Sequence, residues 1–205
     1  MEAKDMTVQK TGTTTVGLVT TEGVVLAADR RSSLGGRFVS NKNAVKIEQV
    51  HPRAAVTMSG SVGGAQAFIR QLRASTNLYD ARRDETMSMD ALAQMAGNIL
   101  RGTAGTMPVL GGCDDDGSHV YEIDGAGGVL ENTYTASGSG TQLATGVLER
   151  QYDDDLTLTE GVSVASEAID SAIERDTASG NGITVARISA EDVTIESYND
   201  ITEVR

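Results

Sequence analysis

Cysteine occurs once in the 205 residues, histidine twice and lysine four times. The single Cys113 excludes an internal disulfide and fits a reducing cytoplasm. No apolar run approaches the ~18 residues of a membrane-spanning helix, which argues against a membrane partner. The opening MEAKDMTVQKTG carries acidic residues and has no apolar core, so it does not read as a secretory signal. Cations are few: 17 Lys and Arg against 29 Asp and Glu leave a net charge of −12. That balance argues against a nucleic-acid partner, because phosphate binding needs clustered Lys and Arg. His51 and His119 lack metal-ligand spacing, and without a GxSxG elbow neither points to a Ser-His-Asp triad.

The lysine scarcity has a corollary. The four are Lys4, Lys10, Lys42 and Lys46. An acidic, lysine-poor composition suits a chain that works in high salt. In such a chain a lysine inside the folded body needs a reason.

What is present alternates between two periodicities. Thr13–Val19 and Gly23–Asp29 flank a tight turn and predict a hairpin. Val45–Ile47 and Ala54–Ser59 predict a second strand pair across a His51-Pro52 turn. Ser61–Gly64 opens a helix whose Ala65, Phe68, Ile69, Leu72 and Tyr79 recur at helical spacing. Ser88 is placed to cap a second helix carrying Met89, Leu92, Met95 and Ile99. Strands are predicted at Pro108–Gly112, Ser118–Ile123 and Asn132–Ala136, with Asp-rich and Gly-rich turns between them. Helices follow over about Gly140–Tyr152 and from an N-cap at Thr159. Strands at Gly182–Ile188 and Val193–Tyr198 come last, before a polar tail that reads as loose. The order is strands, two helices, strands, two helices, strands, not an alternating βαβ pattern. The expected fold is therefore α+β: two antiparallel sheets face to face, with a helix pair outside each, in one domain.

Several patterns carry no chemistry. Asp114–Gly117 resembles a calcium loop but lacks the later Glu. Gly60–Gly64 resembles a phosphate cradle, but no Gly-Lys-Ser/Thr follows. Asp153–Asp155 reads as a solvated helix connection.

The Gly12–Thr13 junction, ahead of the first strand, is different. A threonine hydroxyl needs a base, and histidines are few. A free α-amine titrates at about 7.7–8.0, close to the pH where a general base is most effective. Cutting between Gly12 and Thr13 would put that amine and the hydroxyl on one residue. Glycine before the cut leaves room for the turn such chemistry needs. Taken alone, the junction reads first as the start of a β-strand.

TTTVGLV, VLAADRR, NKNAVKI, MSGSVGGAQ, GSGTQLATGVLE and RDTASGNGI follow one another with compatible spacing. In these motifs the chain resembles the β subunits of archaeal proteasomes, and its composition suits a haloarchaeal member. These are N-terminal-nucleophile hydrolases with a four-layer αββα sandwich. The resemblance implies a threonine-type endopeptidase, with a propeptide Met1–Gly12 removed by self-cleavage at Gly12–Thr13 and a catalytic domain over 13–205. It implies Thr13 as nucleophile, Asp29 and Lys46 as a supporting ion pair (Lys42 being the alternative lysine), and Gly60 as oxyanion donor. Ser139, Asp176 and Ser179 would surround the amine. Met58, Ala44, Ser32 and Val62 would line an apolar pocket, with Glu48 near its wall, so that cleavage follows hydrophobic residues. No metal or organic cofactor is expected. The implied partners are α subunits and other β subunits in stacked seven-membered rings, an ATPase ring and unfolded polypeptides, in the cytoplasm. The alternatives are a non-catalytic β-type subunit with an unprocessed N-terminus, or an amidase of the same superfamily acting on a small molecule.

Overall fold

The computed structural model describes residues 12–83, 85–101 and 105–204. Strands β1 (Thr14–Thr20) and β2 (Gly23–Asp29) form the expected hairpin. A short hairpin follows, β3 (Ser32–Leu34) and β4 (Phe38–Asn41). Strands β5 (Ile47–His51) and β6 (Ala54–Thr57) lead into helices α1 (Val62–Arg83) and α2 (Met89–Leu100). Next come β7 (Val109–Asp114), β8 (Gly117–Ile123), β9 (Val129–Asn132) and β10 (Tyr134–Gly138). Helices α3 (Thr141–Gln151) and α4 (Leu158–Arg175) precede β11 (Ile183–Ile188) and β12 (Val193–Tyr198).

The strands assemble into two five-stranded antiparallel sheets, ordered β10-β1-β2-β11-β12 and β5-β6-β7-β8-β9. Helices α3 and α4 cover the outer face of the first sheet; α1 and α2 cover the second. Between the sheets lies an apolar layer that includes Val24, Leu26, Ile47, Val109, Val120 and Ile188. This is the four-layer αββα sandwich expected from the element order. β2 is buried at every position because a helix pair covers one face and the opposite sheet the other. That double coverage is why β1 and β2 read as unbroken apolar and threonine runs, not alternating ones.

Several boundaries differ from the sequence reading, among them the strand expected at Val45–Ile47, which forms over Ile47–His51 with Val45 and Lys46 outside it and His51 inside it. Asn132–Ala136 is not one strand: the chain turns at Thr133, so β9 closes one sheet and β10 opens the other. The N-cap of α4 is Thr157, not Thr159, because Thr157 forms a reciprocal capping box with Glu160. The tail is not loose: Ile201–Glu203 forms a 3-10 turn capped by Asp200, and Ile201 and Val204 pack on the α3–α4 core. The β3–β4 hairpin was not expected, since Gly35 and Gly36 at its tip separate segments too short and polar to show a period.

The antiparallel register determines where the site lies. Thr14 at the start of β1 pairs with Gly138 at the end of β10. Asp29, ending β2, pairs with Ile183, which begins β11. In the second sheet, Lys46 immediately precedes β5, and Ser59 and Gly60 follow β6. Strand ends from both sheets therefore meet at one edge of the sandwich. Hydrogen bonds join the sheets there, Thr57 Oγ1 to Thr15 Oγ1 at 3.2 Å and Ser59 Oγ to Ser137 Oγ at 3.1 Å.

Candidate active site

Thr13 sits just before β1 and is 3 % exposed. Its hydroxyl donates to the Gly12 carbonyl oxygen at 2.7 Å. The nucleophile proposed from sequence thus lies against the bond proposed to be cut. Residues 1–11 of the expected propeptide lie outside the described residues.

Asp29 is wholly buried and holds four donors. Its Oδ1 accepts from Lys46 Nζ at 2.6 Å and from Thr14 N at 2.9 Å. Its Oδ2 accepts from Arg31 N and Gly180 N, both at 2.9 Å. One carboxylate therefore ties together β1, β2, the strand entry before β5 and the loop after α4. Lys46 is 5 % exposed and Lys42 is on the surface, so Lys46 is the buried lysine of the pair. Burial pushes the Lys46 ammonium below the ordinary lysine value, and Asp29 opposes that push without cancelling it. Among lysine-poor surfaces a buried lysine was expected to have a reason, and this ion pair is it.

Ser139, Asp176 and Ser179 come together from the turn after β10, the end of α4 and the loop beyond it. Thr13 N donates to Ser139 Oγ at 3.2 Å, and Ser139 N donates to the Thr13 carbonyl at 2.7 Å. Asp176 Oδ2 accepts from Ser139 Oγ at 2.5 Å and from Ser179 Oγ at 2.7 Å. Ser179 Oγ also lies 2.8 Å from Thr14 Oγ1. Asp176 is the C-cap of α4. Ser139 does not cap α3: that position belongs to Gly140, which has no side chain to cap with, and Ser139 is turned to Thr13 instead.

Gly60 has φ +90°, a left-handed conformation that favours glycine. A Cβ there would overlap the Gly105 carbonyl oxygen. Gly60 lines a cleft of about 230 Å³ together with Thr13, Lys46, Met58, Ala44, Ser32 and Val62. All the pocket residues named from sequence therefore share one cleft with Thr13. Glu48 reaches it too, but Arg73 Nη1 lies 2.8 Å from its carboxylate, so the wall is not a bare anion. Ser59 and Arg31 were not singled out in advance. Ser59 lines the cleft and donates to the Met107 carbonyl at 2.5 Å. Arg31 donates to the Thr177 carbonyl and to Asn181 Oδ1, both at 3.0 Å, holding the loop after α4. Their signal was adjacency to Gly60 and Asp29, which is visible in the motifs but has no chemical mark of its own.

Among the described residues, no group of three or more His, Cys, Asp or Glu could hold a metal ion, and no helix is long and apolar enough to cross a membrane.

Residues 9–188 match the family described as proteasome subunit. Proteasome subunit beta 2 of Haloterrigena turkmenica is 58% identical over 200 residues, covering 97% of this chain and 84% of that protein. Proteasome subunit beta of Halorhabdus utahensis is 58% identical over 198 residues, covering 96% and 85%. Proteasome subunit beta 2 of Haloarcula marismortui is 57% identical over 195 residues, covering 94% and 85%.

Proposed function

The chain belongs to the proteasome subunit family, beside haloarchaeal β subunits, and from that premise we propose that it is a catalytic threonine endopeptidase of the core particle. The observation that carries this reading is one set of contacts. Thr13 Oγ1 lies against the Gly12 carbonyl, Thr13 N against Ser139, and Thr13 shares a cleft with Lys46 and Gly60.

The chain first acts on itself. Thr13 Oγ1 gives up its proton and attacks the Gly12 carbonyl carbon, the bond to Thr13 N breaks with that nitrogen taking up the proton, and the acyl group passes from nitrogen to oxygen. Water hydrolyses the ester. Gly12 leaves with a carboxylate at the end of Met1–Gly12, and Thr13 keeps a free α-amine. That amine is then the general base for Thr13 Oγ1 in each later cleavage. Ser139, backed by Asp176 and Ser179, orients it. The Lys46 cation, steadied by Asp29, favours the developing alkoxide. A tetrahedral intermediate places its oxyanion at the Gly60 N–H. Such a donor contributes about 2.7–4 kcal/mol in the transition state. The amine component leaves, water attacks the acyl ester, and Thr13 is regenerated.

Met58, Ala44 and Val62, with Ser32 beside them, put apolar surface into the cleft for the residue before the scissile bond. On this reading the substrate is an unfolded polypeptide cut after hydrophobic residues, in a chamber of stacked α and β rings fed by an ATPase ring in the cytoplasm. The reading is tested with particles reconstituted from this chain and an α subunit. Wild type should hydrolyse a fluorogenic peptide ending in leucine or tyrosine. Thr13→Ala should abolish that activity and Thr13→Ser should retain part of it. Full activity in Thr13→Ala particles would contradict it.

A further inference from the structure

Gly12 packs against the loop that follows α4. A Cβ added to Gly12 would overlap Ala178 Cβ, and would lie 2.9 Å from Ala178 Cα and 3.2 Å from Ser139 Oγ. Any other residue at position 12 therefore needs one of these walls to move, or the Gly12 carbonyl to shift from its contact with Thr13 Oγ1.

The Ala178 wall cannot move cheaply. Ala178 N donates to Asp176 Oδ1 at 3.1 Å, and Ser179 N to the Asp176 carbonyl at 3.1 Å. Arg31 holds Thr177 and Asn181 from one side. Gly180 N is bound to Asp29, and the Gly180 carbonyl accepts from Arg30 N at 3.1 Å. Retreat of Ala178 would pull on Asp176, Ser179 and the Asp29 carboxylate together. The second wall, Ser139, is anchored on Asp176 as well.

We propose that Ala178 is a specificity-determining residue of self-processing, whose methyl group admits only glycine upstream of the bond that is cut. It acts by shape and takes no part in proton transfer. It also selects the register. Gly12-Thr13-Thr14-Thr15 offers three bonds ahead of a threonine, but only one of them has glycine on its upstream side. A slip of one residue would put the branched Thr13 side chain into the space where even a methyl group overlaps Ala178. The proposal deepens the reading above and rests on the Gly12–Thr13 bond being the one cut.

The test compares four full-length chains assembled with an α subunit: wild type, Gly12→Ala, Gly12→Val, and Gly12→Ala with Ala178→Gly. Intact mass against time after mixing gives each cutting rate. Gly12→Ala should be cut about tenfold or more slowly and Gly12→Val more slowly still, as overpacking against a fixed wall requires. Adding Ala178→Gly should restore part of the Gly12→Ala rate, with Ala178 Cα and Ser139 still close. Cutting of Gly12→Ala at the wild-type rate overturns the proposal, and so does a Gly12→Ala rate that Ala178→Gly leaves unchanged. An uncut wild-type chain overturns the underlying reading itself, and with it this proposal.

Discussion

Lys46 Nζ lies 2.6 Å from Asp29 Oδ1, with both side chains buried where the ends of the two sheets meet. Removing either partner leaves a buried group without its counterpart, at a typical cost of about 3–5 kcal/mol. Asp29→Asn and Lys46→Met should each lower the thermal midpoint and abolish peptide hydrolysis. The double variant should cost less stability than the two single changes added together, because it leaves no uncompensated charge. Thermal unfolding of all four chains checks this; strict additivity would contradict it.

The backbone at Gly60 is expected to tolerate no side chain. Gly60→Ala should lose about 10²–10³ in kcat while KM for a short peptide changes little. Its φ of +90° and the closeness of the Gly105 carbonyl would force the peptide plane to turn. Steady-state kinetics on assembled particles is the measurement, and a Gly60→Ala enzyme with wild-type kcat would remove Gly60 from the mechanism.

Met58 should set the size of the cleft. Met58→Ala should shift preference toward bulkier residues before the scissile bond by about tenfold in relative kcat/KM, the scale of a few methylenes in an apolar pocket. Glu48→Gln should leave that preference unchanged, because Arg73 already neutralises the carboxylate. A panel of peptides varied at that one residue reads both effects.

His119 predicts a pH dependence of stability. Its Nδ1 lies 2.7 Å from Glu131 Oε1 and its Nε2 3.1 Å from Asp114 Oδ1. Burial works against the imidazolium, but Glu131 and Asp114 outweigh it and hold His119 above the ordinary histidine value. The folded chain then binds this proton more tightly than the unfolded one. Its stabilisation is complete below the unfolded value near 6.5 and is lost as pH rises through the higher folded value. His51, which burial pushes down, acts in the opposite sense, its contribution growing as pH rises toward 6.5. The difference between wild type and His119→Gln separates the two. That difference in thermal midpoint should be larger at pH 6 than at pH 8, and an equal gap would contradict the assignment.

The elements were legible where their periods were long. Phe68, Ile69 and Leu72 marked α1, and Ser88 was read as the cap it is. The β9–β10 junction was not, because Asn132–Ala136 has strand character throughout and only tertiary pairing assigns its two halves to different sheets. The same holds for the site. Thr13 had a chemical argument of its own in the Gly-Thr junction. Lys46 had one in the scarcity of lysine, although Lys42 stayed open until burial separated them. Ser139, Asp176 and Ser179 had none: alone they read as helix-end residues, and the resemblance named them. Only folding brings β10 and the end of α4 to the start of β1. Ala178 was invisible for a further reason, since a methyl group acts as a wall only when its neighbour is known.

The proposed self-cleavage frees the Thr13 α-amine, so that this chain would make its own general base. Intact mass of the subunit from particles assembled with an α subunit in high salt tests it most directly. The expected mass is that of Thr13–Arg205, twelve residues short of the full 205, with Thr13→Ala chains left whole. A full-length mass for the wild-type chain in assembled particles would contradict self-processing and leave the protein a structural member of the ring.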